Sequence, residues 1–266
     1  MITGKNVVLT GADSGIGLEV LKLLVKGGNR VLAVDKNTDE IVKFDPKQVT
    51  PMKIDVSSEA AVDAIFEKAE ELFPFIDIFY ANAGYPYYEE MNYCDWNRVA
   101  AMFETNVFSP IYSYQKYVKY LDGRRGVMAI TVSAIGEMAM PGFTVYSSSK
   151  FALHGFQQGI RLEMPENVRL TCLYPVATDT GFFPAAAPIQ FKKPFPVQQP
   201  DVVARKMLAG IEAGREKVSP CGLFGFAKAL MTVAPVVRTV YWGLEKRKFE
   251  EFKLNMKNGT GKRWDE

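Results

Sequence analysis

Histidine is almost missing from this chain: among 266 residues only His154 is one. That scarcity excludes a zinc site built from several imidazoles and an ordinary Ser-His-Asp relay. Cysteine is scarce too, and Cys94, Cys172 and Cys221 lie far apart without any CxxC spacing. An odd, scattered set points to a reduced environment, and no metal site is expected. Neither sign of charge dominates. A net charge of +2 is too small to point to nucleic acid. No apolar run reaches the roughly 18 uncharged residues of a membrane-spanning helix. The first residues also lack the charged, apolar and small-residue order of a secretion signal, so a cytoplasmic location is expected.

What is present suits one large core. The chain is 48% hydrophobic and 23% charged, and parallel α/β domains of this length commonly fold as one unit. Short apolar, β-branched runs at 6–10 and 30–35 read as buried strands. Similar runs at 52–56, 76–80, 126–132 and 168–174 extend the series, with a short strand near Val218. Helical periodicity fills the gaps: after residue 15, then 58–73, 96–120, 144–164 and 200–214. Such alternation predicts an α/β fold, a doubly wound parallel sheet of Rossmann type in one domain. Its ligand crevice is expected at the carboxyl ends of the strands. Residues 1–220 would form this catalytic unit, with a proline-rich, mobile substrate loop at about 181–200. Residues 221–266 would add a helical tail to the same domain.

Chemistry concentrates in a few places. Gly11, Asp13, Ser14, Gly15, Ile16 and Gly17 follow the first strand and open a helix. Glycines there let backbone amides approach a pyrophosphate at the positive end of that helix. Asp35 closes the second strand, where a carboxylate can bind ribose hydroxyls and repel a 2′-phosphate. That favours NAD over NADP, while Lys36 beside it pulls toward NADP. Tyr146 and Lys150 are four apart on a predicted helix and therefore share a face. A nearby ammonium favours the phenolate and brings tyrosine, ordinarily near a pKa of about 10, toward use as a base. His154 lies one further turn along, and reads as a residue packed against the sheet or at a subunit contact.

These residues, with Asn82-Ala83-Gly84, Asn106 and Ser133, resemble the short-chain dehydrogenase/reductase family in order and spacing, from about residue 4 to 181. The resemblance implies a nicotinamide-dependent enzyme interconverting an alcohol and a ketone, commonly dimeric or tetrameric; the alternative is a non-catalytic dinucleotide-binding regulatory or scaffold protein, recruited to membranes through its C-terminal tail. It implies Asn106, Ser133, Tyr146 and Lys150 as catalytic residues, with Tyr146 and Lys150 also at the cofactor. Ser133 would bind the substrate oxygen, and Asn106 would help hold a relay water. Asp55 and Val56 fall at the adenine position, and Asn82, Ala83 and Gly84 beside the adenosine ribose. Pro175, Thr178 and Thr180 fall where the family contacts the nicotinamide, although Val176 replaces its usual glycine.

The segment 223–244 is apolar but broken by Lys228, Pro235 and Arg238, and Lys246, Arg247 and Lys248 follow. Three readings stay open: a cover over an apolar pocket, a subunit interface, or peripheral membrane contact through 221–248. With Tyr85, Tyr87, Tyr88, Phe143, Phe182 and Phe183 as lining, the arrangement resembles the branch of hydroxysteroid dehydrogenases and reductases of lipophilic carbonyls. A small hydrophobic alcohol or ketone is the expected partner, unless these aromatics pack only on one another.

Overall fold

The structure, a computed structural model, describes residues 2–263. Strand β1 (Asn6–Thr10) shows how the sheet divides the core. Val8 packs into one apolar cluster, whereas Val7 and Leu9 pack into the other, on the opposite face. Alternate side chains of a strand point to opposite faces, so a strand apolar at every position is buried on both.

The remaining sheet follows from the same repeat. Helix α1 (Gly15–Lys26) leads to β2 (Arg30–Asp35), then β3 (Val49–Lys53), α2 (Glu59–Leu72) and β4 (Ile78–Ala81). After α3 (Trp96–Phe103) and α4 (Ser109–Leu121) come β5 (Gly126–Thr131), α5 (Thr144–Ile160) and β6 (Val168–Leu173). Two short strands, β7 (Ala177–Thr178) and β8 (Val197–Gln198), pair with each other, and α6 (Pro200–Glu212) leads to β9 (Lys217–Val218). The main sheet is parallel in the order β3-β2-β1-β4-β5-β6-β9. The order reverses between β1 and β4, which opens a crevice at their carboxyl ends. Phe66, Phe79 and Tyr117 fill one side of the sheet; Leu21, Leu24 and Met207 fill the other.

Two expectations need correction. The third strand is Val49–Lys53 rather than 52–56, in register with β2 from Val31↔Val49 to Asp35↔Lys53. It is an edge strand, where Pro51 can sit without breaking a ladder on both sides. Asp55 and Val56 therefore follow the strand. The single helix expected over 96–120 is three pieces, because a π-helical turn, Glu104–Phe108, separates α3 from α4. Such turns displace one residue from the regular ladder, and here the turn carries Asn106.

The tail folds as α7 (Gly222–Val233) and α8 (Pro235–Asn258). Ala234 between them leaves the helical conformation (φ −129°, ψ 81°), as a residue before proline tends to do. Phe252 of α8 is buried among Tyr88, Phe143 and Phe183. No helix among the described residues is long and apolar enough to cross a membrane.

Candidate active site

Helix α1 begins without a side-chain cap: Ser14 occupies the N-cap position and accepts no amide there. The uncapped amides of this first turn, with their share of the helix dipole, open on the crevice. Gly11, at φ +67°, turns the chain, and a Cβ on Gly17 would stand 1.8 Å from the Gly11 carbonyl oxygen. Only glycine lets the loop close this tightly. Asn82 locks the loop onto β4, its Nδ2 donating to the carbonyls of Thr10 (3.2 Å) and Gly11 (3.1 Å). Thr10 Oγ1 accepts the amides of Asn82 and Ala83 in return.

A cavity of about 350 Å³ runs from this loop along the strand ends. Gly11, Ser14, Gly15, Ile16, Gly17, Asp35, Lys36, Asp55, Val56, Asn82, Ala83 and Gly84 line one part. Ser133, Tyr146, Pro175, Thr178 and Thr180 line the part beyond it. Uncapped amides at one end and a strand-end carboxylate further along fit an extended dinucleotide. Within the glycine loop, Asp13 is the exception. Its carboxylate turns away from the cavity to accept the amides of Glu40 (2.8 Å) and Ile41 (2.9 Å). Its own amide donates to Asp35 Oδ2 at 3.0 Å, so it braces the Asp35 side chain from behind.

The candidate reactive groups come from α5 and from the turn that follows β5. Tyr146, Lys150, Leu153 and Gln157 are buried at helical spacing, so one face of α5 lies against the sheet. Burial pushes the Tyr146 phenol above its ordinary range, and the nearby Ser133 hydroxyl opposes that shift. Lys150, only 3% exposed, donates from Nζ to the Thr131 carbonyl at 3.1 Å. Burial lowers its pKa to about 7, because a charged amine loses its hydration there. Its Nζ lies 5.8 Å from the centre of the Tyr146 ring. Ser133 has φ +131°, a backbone conformation that costs about 1–3 kcal/mol outside glycine. Its Oγ accepts the Ile135 amide (3.3 Å) and donates to the Pro175 carbonyl (3.4 Å). The strained turn thus aims Ser133 at the same end of the cavity as Tyr146.

Asn106 and Lys150 stand behind the cavity wall, and Gly84 lies over both. A Cβ there would come within 2.9 Å of Asn106 Oδ1 and 3.5 Å of Lys150 Nζ. His154 turns to the sheet, its Nδ1 2.9 Å from the Tyr174 hydroxyl. Thr131 belongs to no motif of the sequence, yet its Oγ1 donates to Asn82 Oδ1 at 2.9 Å and its carbonyl holds Lys150. Its position two residues before Ser133 is the only signal the sequence carries.

A family model for short chain dehydrogenases matches residues 5–188. The chain belongs to this family. The chain is 28% identical to the NADPH-dependent 1-acyldihydroxyacetone phosphate reductase of Saccharomyces cerevisiae, over 96% of this chain and 94% of that one. It is 27% identical to the zebrafish 3-dehydrosphinganine reductase and 30% identical to the Bacillus subtilis oxidoreductase YxnA. Those matches take in 68% and 77% of this chain, but span only 59% and 62% of the two relatives' lengths. A Burkholderia cenocepacia short chain dehydrogenase, solved with NADP, shares the fold at a TM-score of 0.76 and 22% identity, over 90% of this chain and 98% of that one.

The apolar end of the cavity belongs to the loops after β5 and β6 and to the tail. Met138, Met140, Phe143, Phe182, Phe183 and Phe195 line it, with Phe224 of α7 and Tyr241 of α8. Tyr85 also lines it, but Tyr87 and Tyr88, expected there, do not. The Arg98 guanidinium lies 3.6 Å from the centre of the Tyr87 ring. Tyr88 stacks on Phe191 at 3.9 Å and packs on Phe252, closing the aromatic cluster beneath the tail.

Proposed function

We propose that this enzyme interconverts a secondary alcohol and a ketone on a bulky, apolar substrate, with NAD or NADP as cofactor. The observation that carries the reading is the meeting of Ser133 and Tyr146, with Lys150 behind the wall, where the cleft becomes apolar. A bound nicotinamide would supply or accept the hydride. The chain's own residues handle the proton. In reduction, the phenol that burial keeps protonated gives its proton to the carbonyl oxygen. Ser133 donates a hydrogen bond to that oxygen and fixes its position beside the phenol. The Lys150 ammonium, when protonated, favours the phenolate left behind. Asn106 acts at one remove, holding the backbone of Tyr85 in the cavity wall.

NAD is the proposed preference, since Asp35 presents a carboxylate on the cleft and is braced by the amides of Asp13 and Asn37. Lys36 on the same wall is the group that would admit a 2′-phosphate. The apolar lining supports a lipophilic carbonyl, and two relatives are named for lipid carbonyl substrates. The hydroxysteroid branch is one version of the same substrate class. A homodimer or homotetramer is the proposed assembly, on the family resemblance alone.

The test is a nicotinamide absorbance screen with both cofactors over steroids, long-chain ketones and long-chain alcohols. Turnover of a lipophilic ketone with NADH is the expected result. Tight dinucleotide binding without turnover of any carbonyl or alcohol would overturn the reading.

A further inference from the structure

Helix α7 buries none of its residues, although most of them are apolar. Leu223, Phe226, Leu230 and Val233 recur at steps of three and four, and so form one stripe. Phe226 is 70% and Val233 80% exposed. Past the break at Ala234 the exposed apolar face resumes on α8 as Val236, Val240 and Leu244. Other sides of the two helices are already engaged. Phe224 and Tyr241 line the cavity, and Lys228 pairs with Glu137 at 2.5 Å. The Tyr241 hydroxyl donates to the Phe195 carbonyl, and Trp242 Nε1 to the Ala139 carbonyl. The stripe is the face left over, beside the apolar end of the cavity.

Charge selects its occupant. From residue 222 to 244 there is no aspartate or glutamate; the charged residues are Lys228 and Arg238. Arg238, Lys246 and Arg247 are exposed, and by helical spacing Arg247 continues the stripe of Val236 and Val240. In a two-fold contact between copies, Arg238, Lys246 and Arg247 would meet their own copies. Glu245, the one acidic residue from 222 to 247, is buried on Lys248, and Glu250 and Glu251 of the next turn already pair with Lys253 and Lys192. An anionic surface with an apolar layer beneath it answers both features.

We infer that α7 and the first half of α8 dock on an anionic lipid bilayer. The stripe lies in the interfacial layer and the basic residues lie among the head groups. The contact is peripheral, since no described helix can cross the bilayer. The cavity then takes its substrate from the membrane past Phe224 and Tyr241. This last step rests on the apolar-substrate reading; the docking itself does not.

Co-sedimentation of the full chain with phosphatidylcholine vesicles, with and without phosphatidylserine, tests the docking. The wild type should pellet with the phosphatidylserine vesicles and be released by salt. The double variant F226E/V233E, altered only at exposed positions, should bind at least about tenfold more weakly. Its turnover of a short, water-soluble ketone should be unchanged, while turnover of a long-chain ketone dissolved in the vesicles should drop to match the lost binding. A wild type that stays in the supernatant at low salt overturns the inference, as does a variant that pellets like the wild type. Analytical ultracentrifugation adds one further arm: a wild-type dimer that the variant dissolves would assign the stripe to a second copy. Pelleting without turnover of any ketone would leave the docking standing and reject the substrate reading.

Discussion

The side chain of Asn106 clasps both backbone polar groups of Tyr85. Its Nδ2 donates to the Tyr85 carbonyl at 3.0 Å, and its Oδ1 accepts the Tyr85 amide at 3.1 Å. The same Nδ2 reaches Ser149 Oγ at 3.2 Å. The π turn after α3 is thereby tied to the cavity wall and to α5. Asn106→Asp would set an oxygen against the Tyr85 carbonyl in a fully buried place. Urea denaturation should show a loss of about 1–3 kcal/mol, accompanied by a lower kcat. Unchanged stability would mean that the clasp is dispensable.

Tyr146→Phe removes one hydroxyl and little volume. General acid–base groups contribute about 10²–10⁴-fold, so kcat on a true substrate should fall about a hundredfold or more. Dinucleotide affinity, followed by fluorescence titration, should stay near the wild-type value. Activity within a few fold of wild type would remove Tyr146 from the proton-transfer role.

Burial of Lys150 makes stability depend on pH. Its pKa is about 7 in the folded chain against an ordinary 10.5. Between those values the unfolded chain holds a proton that the folded chain has released, so stability rises with pH through that window. Below about 7 both states are protonated, and the full cost of burying the charge is present. In the ligand-free protein, Lys150→Met should flatten this rise, as read from denaturation midpoints across the window. An equally steep rise in the variant would place its origin in another group.

Two glycines should respond in opposite directions to alanine. At Gly17 the new Cβ would collide with the Gly11 carbonyl, so dinucleotide binding should be lost or severely weakened. Gly155 is exposed within α5, with open space where a methyl group would stand. Gly155→Ala should stabilise the protein by about 0.5–1 kcal/mol through helix propensity alone. Calorimetry and cofactor titration on the two variants separate the cases.

Phe224 reaches the cavity from the tail, so Phe224→Ala should act on substrate size. KM for a long-chain ketone should rise several fold, by the transfer energy of about one aromatic contact, with KM for a short ketone nearly constant. Equal changes for both substrates would argue that Phe224 serves only the packing of α7.

The sequence alone determined the alternation of strands and helices and which side chains are candidates for the chemistry. Both are local in origin. β1 is apolar at successive positions because two faces bury it, and Tyr146 and Lys150 share a face because a helix has a 3.6-residue period. Family resemblance added Ser133 and Asn106, which lie far away in the chain. Tertiary structure decided the rest. Asp13 belongs to a glycine-loop motif, but its carboxylate serves the amides of Glu40 and Ile41, which only the folding of the 36–41 segment brings near. Thr131 gains its place from the register of β5 beside β4, and Tyr88 is drawn from the cavity by the aromatic faces of Phe191 and Phe252. The amine of Lys150 is the sharpest case: the sequence places it beside Tyr146, whereas its pKa is set by the sheet and helix that close around it and remove its water.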